Sequence, residues 1–92
     1  MTDTRTFKQI VLDVAEQHGV RPERIKSKQR NKQLARARQL VMYEAFATGR
    51  FSASQIGGWL NRDHSTVLYG LWKHAKRNNL PFLTRTRKWS RT

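Results

Sequence analysis

The sequence predicts an all-α fold, a small helical bundle that contains a helix-turn-helix. Three observations predict it. Apolar residues recur at helical spacing along the chain, with no strand-like alternation and no internal repeat. The periodic segments are bracketed by polar residues or glycines of the kind that start and stop helices. A short segment, Ser52–Leu60, is joined by the tight turn Asn61-Arg62-Asp63 to a second helical segment that opens on polar residues. The 92 residues divide into one folded domain, 1–79, and a basic tail, 80–92.

A first helix is predicted over Phe7–His18, where Phe7, Ile10, Val11, Val14 and His18 share one face. Thr6 and Gln9 fit a capping box, and Gly19 supplies a left-handed end. Val20 to Ile25 reads as a linker with a helical turn opened by Pro22, its two apolar ends plugging into the core. A long helix follows over Lys32–Thr48. Leu34, Ala37, Leu40, Val41 and Ala45 form its apolar side, Tyr43 and Phe46 lie at the edge of the core, and Gly49 stops it. Ser52 or Ser54 caps the next helix, with Ile56, Trp59 and Leu60 pointing inward. Gly57 and Gly58 cost about 1 kcal/mol each relative to alanine, which points to close helix–helix approach. Asp63 caps the last helix. Its buried stripe is Val67, Leu68, Leu71 and Ala75, with Ser65, Thr66, Tyr69, Lys73 and Lys76 on the other side. After Asn78-Asn79 the periodicity breaks. Leu80-Pro81-Phe82-Leu83 is a short apolar patch that is expected to fold back on the domain, and Arg85, Arg87, Lys88 and Arg91 follow, with Trp89 among them. That end adds non-specific phosphate affinity, with a protein-docking role for Phe82 or Trp89 as the alternative.

Charge narrows the function. Nineteen Lys and Arg stand against six Asp and Glu, a formal charge of +13. A field of that sign attracts polyanions, of which nucleic acid is the commonest. Eight bases fall between Arg21 and Arg38, interleaved with Ser27, Gln29, Asn31, Gln33 and, just beyond, Gln39. Such a run suits phosphate contact better than mere solvation. His64, Ser65 and Thr66 begin the second helix of the pair, where a helix-turn-helix reader touches base edges.

Other classes fit poorly. With no cysteine there is no disulfide frame or thiolate metal site, and no apolar run is long enough to span a membrane. The expectation is a soluble, cytoplasmic, nucleoid-associated protein. Asp63, His64 and Ser65 are adjacent at a helix start, which does not build a catalytic relay, and His18, His64 and His74 lack metal-ligand spacing. The chain is expected not to be an enzyme and to need no cofactor.

The residues then resemble a known family, the C-terminal DNA-binding domain of the bacterial replication initiator DnaA. The resemblance runs from about Phe7 to Arg77. It rests on Val14-Ala15-Glu16 followed by Ile25-Lys26-Ser27-Lys28-Gln29-Arg30, on Ala35-Arg36-Ala37-Arg38-Gln39-Leu40-Val41-Met42-Tyr43, and on Ser52 to Gly57 with Arg62-Asp63-His64-Ser65-Thr66-Val67-Leu68. It implies an all-α, Trp-repressor-like bundle that reads duplex sites called DnaA boxes. Asp63, His64, Ser65 and Thr66 would contact bases in the major groove, and Arg30 would enter the adjacent minor groove. Arg38 and Gln39 would touch bases and phosphates, Lys28 the backbone, and Arg62 counts among the DNA-binding residues. By their chemistry, Ser65 and Thr66 can donate to bases, and the Thr66 methyl can pack on a thymine methyl.

The chain also departs from the family. Ala37 stands where proline is usual, so the long helix is expected to begin less sharply. Leu60 and Asn61 replace two glycines, so the turn is expected to differ. Glu44, Thr48 and His74 replace apolar residues, which suggests a rearranged core or another packing partner. The initiator's ATPase needs a Gly-x-x-x-x-Gly-Lys-Ser/Thr loop, which is absent from these 92 residues. The expectation is a stand-alone reader, phage-encoded or a small bacterial regulator, that acts on replication or transcription without binding nucleotide. Two alternatives are an RNA-binding or general, non-specific nucleic-acid packaging protein and an adaptor that binds protein through Glu44, Phe46 or the Phe82–Trp89 segment.

Overall fold

Helix caps set the architecture. In the computed structural model, which describes residues 4–80, the helices are α1 (Phe7–His18), α2 (Pro22–Ile25), α3 (Lys32–Ala47), α4 (Ala53–Leu60) and α5 (His64–Arg77). Four starts are closed by a side chain that accepts from the third helical N–H: Thr6, Asn31, Ser52 and Asp63. Ser52 and Gln55 complete a reciprocal capping box. The box expected at Thr6 is only half made, because the Gln9 amide donates to Asp13 instead. Asn31 starts α3 sharply at Lys32, so Ala37 does not blunt the helix start.

α3 is central and packs against each of the other four helices. Ile10 and Val14 of α1, Ile25, Val41 of α3, Ile56 and Leu60 of α4, and Val67 and Leu71 of α5 are all fully buried. Met42, Ala15, Gly70 and His74 also belong inside, although the apolar spacing did not single them out. Leu40 and Leu68 are only partly covered. Trp59 is not an inward residue. It stays 38% exposed on the surface, tilted against Phe7 at 4.5 Å and edge-on to Phe51 at 5.2 Å.

The three polar departures are each satisfied locally. Glu44 accepts from Arg5 at 3.0 Å, and Arg5 also bonds Asp13 at 2.9 Å, joining α3 to α1. Thr48 donates to the Ala45 carbonyl at 2.7 Å. His74 is buried and lies 5.0 Å from the Tyr43 ring. Burial lowers its pKa, helped by nearby Arg77 and His18. The Asn78 amide nitrogen, itself a donor, lies 3.3 Å from Nδ1 and suits a deprotonated nitrogen there.

The turn between α4 and α5 keeps a tight geometry without glycine. Asn61 adopts the left-handed conformation at φ 60°, which asparagine tolerates better than most residues. The Arg62 N–H then returns to the Gly57 carbonyl at 2.7 Å. Asn79, at φ 55°, ends α5 in the same way, with the Leu80 N–H on the Ala75 carbonyl. Among the described residues no helix is long and apolar enough to cross a membrane. The apolar patch beyond Leu80, the basic tail and the docking role of Phe82 and Trp89 lie outside the described residues.

The two glycines of α4 differ. A Cβ on Gly57 would stand 2.4 Å from the Arg62 carbonyl oxygen, whereas one on Gly58 would meet open space. Only Gly57 serves close approach. Gly57→Ala is expected to destabilise the fold by about 1–3 kcal/mol. Gly58→Ala should stabilise it by about 0.5–1 kcal/mol through helix propensity. Urea unfolding of the two variants checks the pair, and equal effects would contradict this difference in environment.

Candidate nucleic-acid interface

The candidate surface joins the basic loop before α3 to the tip of α5. The loop is ordered first by its own side chains. The Ser27 hydroxyl donates to the Arg24 carbonyl at 2.7 Å and accepts from the Gln29 N–H at 3.2 Å. Arg24 holds the Gln29 carboxamide at 2.7 Å. These local bonds turn the chain sharply between α2 and α3.

Two guanidiniums then fasten the loop to the rest of the molecule. Arg38, only 7% exposed, donates to the carbonyls of Ile25 at 2.7 Å, Arg24 at 3.0 Å and Ser27 at 2.8 Å. Arg62 donates to the carbonyls of Leu60 at 2.8 Å, Asn61 at 3.3 Å and Ser27 at 3.0 Å. Arg24 and Ile25 end α2, while Leu60 and Asn61 end α4. Their carbonyls are among those a helix end leaves without an intrahelical partner. Each arginine therefore closes one helix end, and both share the Ser27 oxygen. Burial, and then the charge of Arg62, lowers the Arg38 pKa from its ordinary value, although a guanidinium keeps its proton in any folded protein.

Two of the expected DNA contacts also have internal roles. Arg38 is nearly buried, and its Nε and Nη2 donate to carbonyls inside the protein. Arg62 is half-buried and anchors the turn through its side chain. No local sequence pattern signals such a role, because the acceptors of Arg38 lie 11 to 14 residues away. Gln39 is also half-buried, and its carboxamide accepts from Arg77 at 2.8 Å across the α3–α5 joint. Neither Arg77 nor that joint was anticipated.

The remaining sites are open. Lys28 and Arg30 are exposed on the loop, and Asp63, His64, Ser65 and Thr66 are exposed at the tip of α5. The loop and the tip are brought together by the bond from Arg62 to the Ser27 carbonyl. Asp63 accepts from the Thr66 N–H at 2.9 Å and from the Thr66 hydroxyl at 2.8 Å, both on Oδ1. Thr66 thus gives its only side-chain donor to the cap and keeps a methyl group and acceptor capacity for a ligand, contrary to the expected donation to a base. The backbone bond from Thr66, and secondarily its hydroxyl, holds the Asp63 pKa below the ordinary aspartate value.

The family model described as "Bacterial dnaA protein helix-turn-helix" matches residues 7–73, from the first residue of α1 into α5. The chromosomal replication initiator protein DnaA of Thermus thermophilus, in each of two strains, is 38% identical to this chain over 66 residues. That stretch is 71% of this chain and 15% of the relative. The chromosomal replication initiator protein DnaA 2 of Protochlamydia amoebophila is 38% identical over 63 residues, 68% of this chain and 14% of its own. The chain therefore spans about 15% of the length of the Thermus relatives it matches. No solved structure matches it.

Two expectations concern the site's stability. Arg38→Ala should destabilise the domain by about 1–3 kcal/mol, because the buried Ile25 carbonyl loses its donor and the Arg24 and Ser27 carbonyls each lose one of theirs, and Arg38→Lys should recover only part of that. Arg30→Ala should stay within about 0.5 kcal/mol of the parent, as an exposed change does. Urea midpoints decide this, and an Arg38→Ala variant as stable as Arg30→Ala would remove the internal role.

The second expectation is a pH dependence. The folded pKa of Asp63 lies below its unfolded value, so the cap's stabilisation is complete above the unfolded value and fades as pH falls through the folded one. An NMR titration of the Thr66 amide should show a midpoint below that of aspartate in an unstructured peptide. Asp63→Asn should abolish the titration but keep α5 capped, whereas Asp63→Ala should fray its first turn. A midpoint at or above the peptide's would contradict the cap.

Proposed function

The chain belongs to the bacterial DnaA helix-turn-helix family, and from that premise we propose that it binds double-stranded DNA sequence-specifically at DnaA-box-like sites. The tip of α5 enters the major groove, and Arg30 enters the neighbouring minor groove. His64 and Ser65 read base edges, the Thr66 methyl packs on a thymine methyl, and Asp63 offers Oδ2 to a base amino group while Oδ1 holds the cap. Arginine suits a narrow minor groove because the potential there is strongly negative. Lys28 contacts the backbone and adds a salt-dependent share of the affinity. In this reading the chain is a binding module with no catalytic step. It acts by occupying sites that an initiator or polymerase also uses.

One observation carries the proposal: the bond from Arg62 to the Ser27 carbonyl, which holds the basic loop and the helix tip in one fixed relation. Reading two adjoining grooves at once demands that relation. A packaging protein needs only charge, and the chain's +13 would serve it without any such brace.

Selection of bound duplexes from a random pool should return a defined motif. Competition at matched salt should then favour that duplex over a scrambled one by about 10³-fold or more. Arg30→Ala and Thr66→Ala should each weaken site binding by about 1–3 kcal/mol and relax preference at one position. Equal losses on selected and scrambled duplex, or a pool that never converges, would refute specific reading and favour packaging.

A further inference from the structure

We propose that the C-terminal half of α5 carries a second nucleic-acid surface, which stacks unpaired bases of single-stranded DNA on Tyr69 and Trp72 while Lys73 and Lys76 hold the phosphates. Tyr69 is 58% exposed and Trp72 is 43% exposed. They lie three residues apart on the helix, so they share a face, with ring centroids 6.0 Å apart. The buried stripe of the same helix, formed by Val67, Gly70, Leu71 and His74, lies on the other side. Among the described residues, packing therefore does not account for two large exposed aromatic rings on this face.

Charge identifies the partner. The Lys73 ammonium stands 5.9 Å from the Tyr69 centroid, and the Lys76 ammonium stands 4.8 Å from the Trp72 centroid. Arg77 joins Trp72, Lys73 and Lys76 around a shallow hollow. From His64 to the end of the chain there is no Asp or Glu. An apolar protein partner would have to desolvate this cationic rim, whereas a polyanion is drawn to it. Within a duplex each base face is covered by its neighbours, so only edges and phosphates are offered outward. Exposed rings flanked by cations match what a single strand offers, namely open base faces and a charged backbone at short intervals.

This surface goes beyond the duplex reading and can be tested separately. The full 92-residue chain is titrated into a fluorescent oligothymidylate of about fifteen nucleotides, a length that spans one typical site. Fluorescence anisotropy reports binding. A Tyr69→Ala/Trp72→Ala variant should lose about tenfold or more on the oligothymidylate and keep its affinity for the selected duplex. The conservative Tyr69→Phe/Trp72→Phe variant should recover most of the loss, and Lys73→Ala/Lys76→Ala should flatten the salt dependence. An oligothymidylate affinity unchanged by the alanine pair would overturn the proposal, as would equal losses on single strand and duplex. So would a concentration-dependent dimer in sedimentation that the alanine pair dissolves, since a second copy would then be the occupant. Failure to find a preferred duplex leaves the single-strand result standing on its own measurement.

Discussion

The carbonyl oxygen of Ser27 is the point on which the reading surface depends. An amide oxygen has two lone pairs, and here a guanidinium from α3 and another from the α4–α5 turn both donate to it. Two like charges meet there because each also closes a helix end, Arg38 at the Ile25 carbonyl and Arg62 at those of Leu60 and Asn61. Charge-assisted bonds to several carbonyls offset both the repulsion and the burial. Lysine could not replace either arginine, since one ammonium cannot span three carbonyls held in this arrangement. The basic loop, the end of α2, the end of α4 and the start of α5 are consequently one rigid unit.

That rigidity explains why the tip can carry polar side chains in the open. His64, Ser65 and Thr66 are exposed, so packing does not fix them. Their backbone is fixed instead by the Asp63 cap and by the turn at Asn61. The cap settles α5 at its first turn, where a ligand would meet it. A site assembled before its ligand arrives loses less side-chain and loop freedom on binding.

Much of this was legible in the sequence, and the reasons are local. Helical spacing located α1, and the residue types at Asn61, Asp63 and Gly19 named the turn, the cap and the stop. These signals act within a few residues, which is the range that pattern reading covers. The misses act across the fold. Arg38 looks like a surface base in a basic run, and only the packing of α2 against α3 turns it inward. Trp59 looks like core by its spacing, yet Phe7 and Phe51 shield just one side of it. Gly57 and Gly58 are indistinguishable in sequence, and the Arg62 carbonyl separates them. His74 stands out in sequence only as a polar residue in an apolar place, and its surroundings, Tyr43 and Asn78, are seen only in the fold. Among the exposed candidates, His64, Ser65 and Thr66 follow from the helix-turn-helix layout and Asp63 from its capping position, whereas Lys28 and Arg30 were singled out within the basic run by resemblance alone.

Arg62 and Ser27 are 35 residues apart, and this has a consequence for biogenesis. A chain emerging from the ribosome presents Ser27 seconds before Arg62 emerges. The α1–α3 portion can gather on its own apolar contacts in that interval, but the two halves of the reading surface cannot yet be aligned. Nascent or truncated polypeptides of this kind can cling to DNA through charge alone and cannot discriminate among sequences. On the proposed function, selectivity is therefore acquired late and all at once, when the last helix docks.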